Sequence, residues 1–126
     1  MSEIQPVRIQ RSRQHKQVSP NGLPIVYVGR PSKYGNPFRV EYMYKTDAGI
    51  KLYGVKTSDE NCVDILINNC RPAYELKRYA MYDAVMCFYL FVKDKPFKQL
   101  EGKNLSCWCK KNEHCHADIL IELANL

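Results

Sequence analysis

The stretch that decides the fold class is IVYVGRPSKYGNPF, residues 25–38. Its first four residues form a continuous apolar run rich in β-branched side chains, which is typical of a strand buried on both faces. We therefore predict a strand at 25–28, near the centre of a sheet. Two prolines and two glycines interrupt residues 29–37, so this segment is predicted to be a loop at the carboxyl end of that strand.

Further strands are predicted on both sides of this stretch. Residues 7–10 alternate apolar and polar side chains, which indicates a short edge strand. Residues 38–52 alternate in the same way around a turn at Asp47-Ala48-Gly49, which predicts a β-hairpin. A short apolar run at 104–108 follows a turn at Glu101-Gly102 and predicts another strand.

Three helices are predicted from capping and periodicity. Thr57 followed by Glu60 forms a capping-box pattern, which predicts a helix of about three turns. After a break at Arg71-Pro72, a longer helix is predicted to cover the sheet, and residues 117–125 are predicted to form a terminal helix. The apolar stripe of the longer helix consists of Leu76, Ala80, Ala84, Cys87, Phe88 and Phe91.

This order of elements predicts the fold class. Strands that end in loops and are followed by helices indicate an α/β fold with sites at the carboxyl ends of the strands. We expect a small single domain over residues 1–126, with a mixed or mostly parallel sheet flanked by helices and an inserted β-hairpin. A length of 126 residues is that of one domain, and a chain with 45% hydrophobic residues can close one core without disulfides.

Charge is concentrated in the first third of the chain. The net charge is +6, and residues 1–40 hold seven basic residues and one acid, whereas the rest is balanced. A basic arm and edge strand at 1–24 would attract phosphate-bearing partners, including nucleic acid; the alternative is a solvated arm that only maintains solubility. No apolar run is long enough to span a membrane, so we expect no membrane partner and a cytoplasmic location, in the host if the protein is phage-encoded.

The densest group of reactive side chains lies at residues 107–118. On a strand Cys107 and Cys109 point to one face, and the following loop can bring Cys115 back beside them. Together with His116 they could surround a tetrahedral zinc ion, although adjacent residues such as Cys115 and His116 rarely ligate one ion. Zinc is therefore one of three interpretations of this segment.

The second interpretation places an anion or a reaction at the start of the terminal helix. The helix start favours an anion and lowers the pKa of a thiol, so Cys115 could act as nucleophile or anion ligand. His116 would then be a donor or acid, and Asp118 would orient it or cap the helix. The third interpretation is structural, with Cys107 and Cys109 as small buried residues. A disulfide is the least favoured in a reducing compartment, and Cys62, Cys70 and Cys87 are predicted to be packing residues.

The loop at 29–38 carries the components of a nucleotide-phosphate site. It joins two cations, glycines that allow close backbone approach, a hydroxyl group and an aromatic ring on which a base could stack. The alternative is that glycine and proline only shape the loop, while Tyr34 and Phe38 close the core. The predicted ligand-binding residues are Gly29, Arg30, Ser32, Lys33, Tyr34 and Asn36.

Taken together, YVGRPSKYGNPF at 27–38, LSCWC at 105–109 and CHADIL at 115–120 resemble the uncharacterised family known as domain of unknown function 4326, met in bacteria and their phages. The resemblance implies that the motifs form a common unit, in a setting of nucleotide or DNA metabolism. Relative to shorter members, residues from about 41 to 80 look like an insertion. The Cys115-His116 pair is similar, more weakly, to the Cys-His-Arg ending of domain of unknown function 488, whose Arg is replaced here by Ala117.

Two functional hypotheses follow. In the first, loop 29–38 and segment 107–118 meet at the carboxyl edge of adjacent parallel strands and bind a phosphate-bearing ligand, a nucleotide or nucleotide sugar. The protein would then be an enzyme of nucleotide or DNA metabolism, with Cys115, His116 and Asp118 at the reacting centre. In the second, it is a non-enzymatic zinc-stabilised module that binds nucleic acid or a protein partner. No particular oligomeric state is predicted.

Overall fold

The computed structural model of the chain describes residues 4–14 and 16–126, so parts of the predicted basic arm, residues 1–3 and 15, lie outside it. It contains a parallel three-stranded sheet, an antiparallel hairpin and three helices, which confirms the predicted α/β class. The elements are β1 (Arg8–Gln10), β2 (Ile25–Tyr27), β3 (Arg39–Lys45), β4 (Lys51–Lys56), α1 (Val63–Asn69), α2 (Lys77–Val92), β5 (Asn104–Cys107) and α3 (His116–Ala124), with single 3-10 turns at Glu60–Cys62 and Lys98–Leu100.

The chain forms two compact units. The first combines the residues up to Gly35 with Lys95–Leu126, and the second is Asn36–Asp94. The first unit therefore contains β1, β2, β5 and α3, and the second contains the hairpin and both central helices. None of the described helices is long and apolar enough to cross a membrane.

The parallel sheet of the first unit has the strand order β1-β5-β2. The prediction that residues 25–28 lie at the sheet centre is wrong, because β5 is the central strand and β2 is an edge strand with half-buried residues. The apolar run of β2 suggested the centre, whereas β5 contains the polar residues Asn104 and Ser106. All four residues of β5 are nevertheless buried.

A hydrogen-bond network allows Asn104 to lie in the central strand. Its side-chain oxygen accepts from the backbone N–H of Val7 at 3.0 Å, and its amide group donates to Asn21 Oδ1 at 2.7 Å and to Ser19 Oγ at 3.2 Å. A buried amide satisfied in this way avoids the cost of lost hydration. The network also fastens the residues before β2 to the sheet.

In the second unit, α2 packs on the β3–β4 hairpin. The predicted longer helix is confirmed, and its buried residues include Ala80, Ala84, Cys87 and Phe88, but it covers this hairpin. Leu76, the residue before α2, is exposed. The burial predicted for the Cys62 and Cys87 side chains is confirmed.

The first helical segment begins later than its sequence pattern predicts. Thr57 does not cap the helix; its hydroxyl oxygen accepts from the backbone N–H of Asp59 at 3.2 Å. Asp59 is the N-terminal cap, and its carboxylate accepts from the backbone N–H of Asn61 at 2.9 Å. Both side chains are suitable caps, and the turn between them selects Asp59.

Candidate metal centre

Parallel pairing brings the carboxyl ends of the three strands to one edge of the sheet. Gln10 pairs with Cys107 on one side of β5, and Tyr27 pairs with Ser106 on the other. Beyond β2, Val28 continues the pairing by donating its backbone N–H to the Ser106 carbonyl at 2.9 Å. The segments that follow β2 and β5 therefore begin side by side, as the sequence predicted.

Three cysteines converge at this edge. Cys107 ends β5, Cys109 lies in the following turn, and Cys115 directly precedes α3. Their sulfur atoms all lie within 4.8 Å of one another, and the Cys107 and Cys115 sulfurs are 2.9 Å apart. Cys107 and Cys115 are 1% and 2% exposed, while Cys109 is half-buried. The structure thus brings together the three thiols that the sequence grouped.

His116 lies beside this group without belonging to it. Its Nε2 is 2.7 Å from the carbonyl oxygen of Val28, and its Nδ1 is 3.8 Å from the Cys115 sulfur. Because a carbonyl can only accept, Nε2 donates its proton to Val28, and this bond orients the ring so that Nδ1 faces the Cys115 sulfur. Metal-binding histidines are commonly oriented by such a bond to a backbone carbonyl.

The three thiols have very different acidities. Hydrogen bonds from Cys107 and Cys109 outweigh burial and hold the pKa of Cys115 far below its usual range. The bonds to Cys109 and Cys115, together with burial, raise the pKa of Cys107. The bond with Cys107 lowers the pKa of Cys109, but the bond with Cys115 and burial raise it further, to about 11. At neutral pH the group therefore holds one thiolate and two thiols.

Arg8 fastens the loop that carries these cysteines. Its guanidinium donates to the backbone carbonyls of Lys111 at 2.6 Å, Glu113 at 3.0 Å and Lys110 at 3.1 Å. It also lies 3.5 Å from the carboxylate of Asp118, and its side chain is only 10% exposed. Burial opposes the charge of Arg8, but interactions with Cys115 and Asp118 outweigh it and raise the arginine pKa.

In the sequence, Arg8 stands out only as one charge of the basic arm. Its position offered a signal, because it is the charged residue between Val7 and Ile9 in the predicted edge strand. Asp118 was predicted to orient His116 or to cap the helix. It lies in the first turn of α3 and pairs with Arg8; burial raises its pKa and Arg8 opposes that shift.

The loop after β2 consists of consecutive turns. Ser32 donates its N–H to the Gly29 carbonyl at 2.9 Å, and Gly35 donates its N–H to the Ser32 carbonyl at 3.0 Å. A Cβ at Gly29 would meet the Tyr27 hydroxyl at 2.5 Å, and one at Gly35 would meet Arg30 Cγ at 2.8 Å. Both glycines thus allow close packing inside the loop itself.

The other predicted ligand-binding residues do not all belong to the same unit. Arg30 and Lys33 are exposed, and the Lys33 ammonium lies 5.1 Å from the ring centre of Tyr34. Tyr34 in turn lies against Phe97, with ring centres 6.4 Å apart. Asn36 belongs to the second unit, where its buried amide accepts from the N–H of Phe38 at 2.9 Å.

These features define a class of protein: a small α/β protein with a three-cysteine group at the carboxyl edge of a three-stranded parallel sheet. The chain belongs to the family described as domain of unknown function (DUF4326), whose model matches residues 7–126. This match confirms the family resemblance stated from the sequence motifs. No curated protein and no solved structure matches the chain.

Proposed function

We propose that this protein binds one zinc ion through Cys107, Cys109 and Cys115, and that the ion stabilises the carboxyl edge of the parallel sheet. The main support for this proposal is that the three cysteine sulfurs all lie within 4.8 Å of one another. Sulfurs around a tetrahedral zinc ion lie about 3.8 Å apart, as the Zn–S bond length of about 2.3 Å requires. The distance between the Cys107 and Cys115 sulfurs, 2.9 Å, is shorter than this value, and the 4.8 Å limit on all three sulfur–sulfur distances is longer.

The charge of the group supports the same proposal. Zinc with three thiolates carries one net negative charge, and so does the metal-free group with its single Cys115 thiolate. Exchange of two thiol protons for Zn²⁺ therefore leaves the charge beside Arg8 unchanged. A buried charge needs a partner, and the Arg8 guanidinium, which interacts with both Cys115 and Asp118, is a cation beside the cysteine group. Thiolates remain available as ligands in the reducing cytoplasm, where we place the protein.

The fourth coordination position has two candidates, His116 Nδ1 and a water molecule. His116 Nδ1 is favoured by its 3.8 Å distance from the Cys115 sulfur and by the bond from Nε2 to Val28. Replacement of His116 by Gln distinguishes the two in the cobalt-substituted protein. A changed visible absorption spectrum assigns the histidine as ligand, and an unchanged four-coordinate spectrum assigns water.

Elemental mass spectrometry tests the proposal on reduced protein purified without a metal-affinity tag. We expect about one zinc per chain, lost in Cys109→Ser. The matched control is Cys70→Ser, since Cys70 is also a half-buried thiol but lies in the second unit. The proposal is wrong if reduced wild-type protein neither contains nor takes up zinc, or if Cys109→Ser retains it as the wild type does.

A second candidate function is the binding of a phosphate-bearing ligand, a nucleotide or nucleotide sugar, at the loop after β2. Within residues 4–14 and 16–126, neither Arg30 nor Lys33 has a carboxylate partner, so both cations are available to an external anion. A nucleotide panel tests this: Arg30→Ala should weaken binding, whereas Arg39→Ala, an exposed arginine of the hairpin, should not.

The enzymatic form of this candidate adds Cys115 as nucleophile, with His116 and Asp118 beside it. We rank it below the metal site because Cys115 is 2% exposed and its sulfur is already in contact with that of Cys107. A nucleophile must reach its substrate, so this form requires the cysteine group to open. Turnover of a nucleotide that is lost in Cys115→Ser but kept in Cys109→Ser would reverse the ranking.

A further inference from the structure

A surface of aromatic and cationic side chains lies at the same sheet edge and has no role in the metal site. Trp108 directly follows β5, Tyr27 ends β2, and Arg11 directly follows β1. The backbone N–H of Arg11 donates to the Cys107 carbonyl at 2.7 Å, which holds Arg11 close to β5. We call the set formed by Tyr27, Trp108, Arg11 and Arg13 the Trp108 surface.

Arg11 connects the two aromatic rings of this surface. Its guanidinium carbon is 4.7 Å from the ring centre of Tyr27 and 5.5 Å from that of Trp108. The Tyr27 hydroxyl donates to the carbonyl of Arg30 at 2.6 Å, which fixes the tyrosine ring. Cation–π contacts within about 6 Å are attractive, so Arg11 is a positioning residue that holds Trp108 in place.

Trp108 and Arg13 are the groups that face outward. Trp108 is 47% exposed although it is a large aromatic side chain at the end of a buried strand. Arg13 is exposed, and its guanidinium carbon lies 5.9 Å from the tryptophan ring centre. Across the described part of the chain, neither Arg11 nor Arg13 pairs with a carboxylate. The surface therefore combines a half-exposed flat ring with uncompensated positive charge.

We propose that the Trp108 surface binds single-stranded nucleic acid, with a base stacked on Trp108 and an adjoining phosphate paired with Arg13. Stacking on an aromatic ring beside cations is how proteins bind single strands without reading sequence. A single strand is required because the faces of paired bases are covered by their neighbours. The excess of basic residues in the first 40 supports an anionic partner.

This inference goes beyond the proposed metal site and does not depend on it. Trp108 lies between Cys107 and Cys109, so a bound zinc would restrict its backbone. Its ring is in contact with Arg11, which also lies over Tyr27, and neither residue is a proposed zinc ligand. Binding is therefore measured on protein of known zinc content. Absence of zinc would overturn the metal proposal and leave this one standing.

Trp108 is the sole tryptophan of the chain, so its fluorescence reports on the surface directly. The probe is a short oligothymidylate, added to reduced protein at low salt. We expect saturable quenching of Trp108 fluorescence that is reversed as salt is raised. An oligomer of the same length with abasic sites has the phosphates without the bases, and we expect it to bind more weakly and to leave the fluorescence unchanged.

Variants then separate stacking from charge, with binding followed by the anisotropy of a labelled oligothymidylate. Loss of the stacking ring in Trp108→Ala should weaken binding by about 5- to 150-fold, while Trp108→Phe should retain most of the affinity. Arg13→Ala should weaken binding and reduce the salt slope by about 0.7, the effect of one phosphate contact. If Trp108→Ala fails to fold, the abasic oligomer tests stacking on the wild-type protein and Arg13→Ala tests the phosphate contact.

The second unit offers a matched control. Arg78 and the half-exposed Tyr79 form a similar contact, with 5.2 Å from the guanidinium carbon to the ring centre. Arg78→Ala and Tyr79→Ala should leave oligothymidylate binding unchanged. The proposal is overturned if wild-type protein does not bind the oligonucleotide. It is also overturned if the abasic oligomer binds equally well, or if Trp108→Ala and Tyr79→Ala have the same effect.

Discussion

The guanidinium of Arg8, in the first strand, lies 3.5 Å from the carboxylate of Asp118, in the last helix. The same guanidinium donates to three carbonyls of the loop between Cys109 and Cys115. One side chain from the start of the chain thus fixes the segment that carries the cysteine group. The Arg8 side chain is only 10% exposed and its bond to Glu113 is partly shielded from solvent, whereas its bonds to Lys110 and Lys111 lie at the surface.

Replacement of Arg8 tests this arrangement. Arg8→Lys keeps the charge but cannot reproduce the planar set of donors, so the loop should be held less well. We expect zinc affinity to fall by about 10- to 100-fold, as for other residues that orient metal ligands. Competition with a chromophoric chelator measures the change. Arg39→Lys, in the hairpin, is the control, and equal affinities for the two variants would contradict the role of Arg8.

Zinc binding should release protons. Cys107 and Cys109 have raised pKa values and are protonated at neutral pH, whereas Cys115 is already a thiolate, so two protons leave per zinc. Affinity should therefore fall by about 100-fold for each pH unit of acidification. Calorimetry in buffers of different ionisation enthalpy counts the protons. Release of three would show that Cys115 is also protonated in the metal-free protein.

Removal of zinc should destabilise the first unit. Zinc at 1,000 times its dissociation constant adds about 4 kcal/mol to the free energy of unfolding, so a chelator should lower Tm by roughly 10 to 20 °C. Cys107→Ser should have a low Tm that the chelator no longer changes. Cys87→Ser removes an equally buried thiol of the second unit and should retain the chelator effect. A wild-type Tm that is indifferent to chelator contradicts a stabilising role for the ion.

The packing of α3 on β5 should contribute strongly to stability. Leu120 is fully buried, and Leu120→Ala should lower the free energy of unfolding by about 2 to 5 kcal/mol through lost burial and a cavity. Leu126 is 94% exposed, so Leu126→Ala should change the free energy of unfolding by less than about 0.5 kcal/mol. Urea denaturation of both variants gives the comparison. Similar values would show that α3 does not pack as described.

In the second unit, the Tyr74 hydroxyl should be stabilising. It donates to Asp83 at 2.5 Å and accepts from the N–H of Arg71 at 2.9 Å. Tyr74→Phe leaves both partners without their hydrogen bond and should lower the free energy of unfolding by about 1 to 3 kcal/mol, as measured by urea denaturation. The control is Tyr79→Phe, which changes a half-exposed ring and should not have this effect.

The pH dependence of this contribution has a defined sign. Burial and the bond to Asp83 raise the pKa of Tyr74 above its ordinary value near 10. The stabilisation is therefore complete below about pH 10 and is lost as pH rises toward the folded-state pKa. The difference in unfolding free energy between wild type and Tyr74→Phe should shrink in that alkaline range. A difference that stays constant there would contradict the raised pKa.

Local patterns in the sequence predicted most elements and the cysteine group. Alternation located the hairpin, the apolar runs located β2 and β5, and the spacing of Cys107, Cys109 and Cys115 indicated a common site. Each of these signals depends on residues within a few positions of one another. The helix cap is a local feature that the sequence pattern did not identify. Thr57 and Asp59 are both good caps, and the hydrogen bonds show that Asp59 is the one used.

The sequence by itself thus determined the α/β class, the family and the meeting of two segments at the carboxyl edge of the sheet. Only the tertiary structure decided that β5 is central, that α2 covers the hairpin, and that Arg8 holds the cysteine loop. These features depend on hydrogen bonds and packing between residues far apart in the chain. Local propensity and periodicity do not predict which distant group will form hydrogen bonds with a buried amide or a guanidinium.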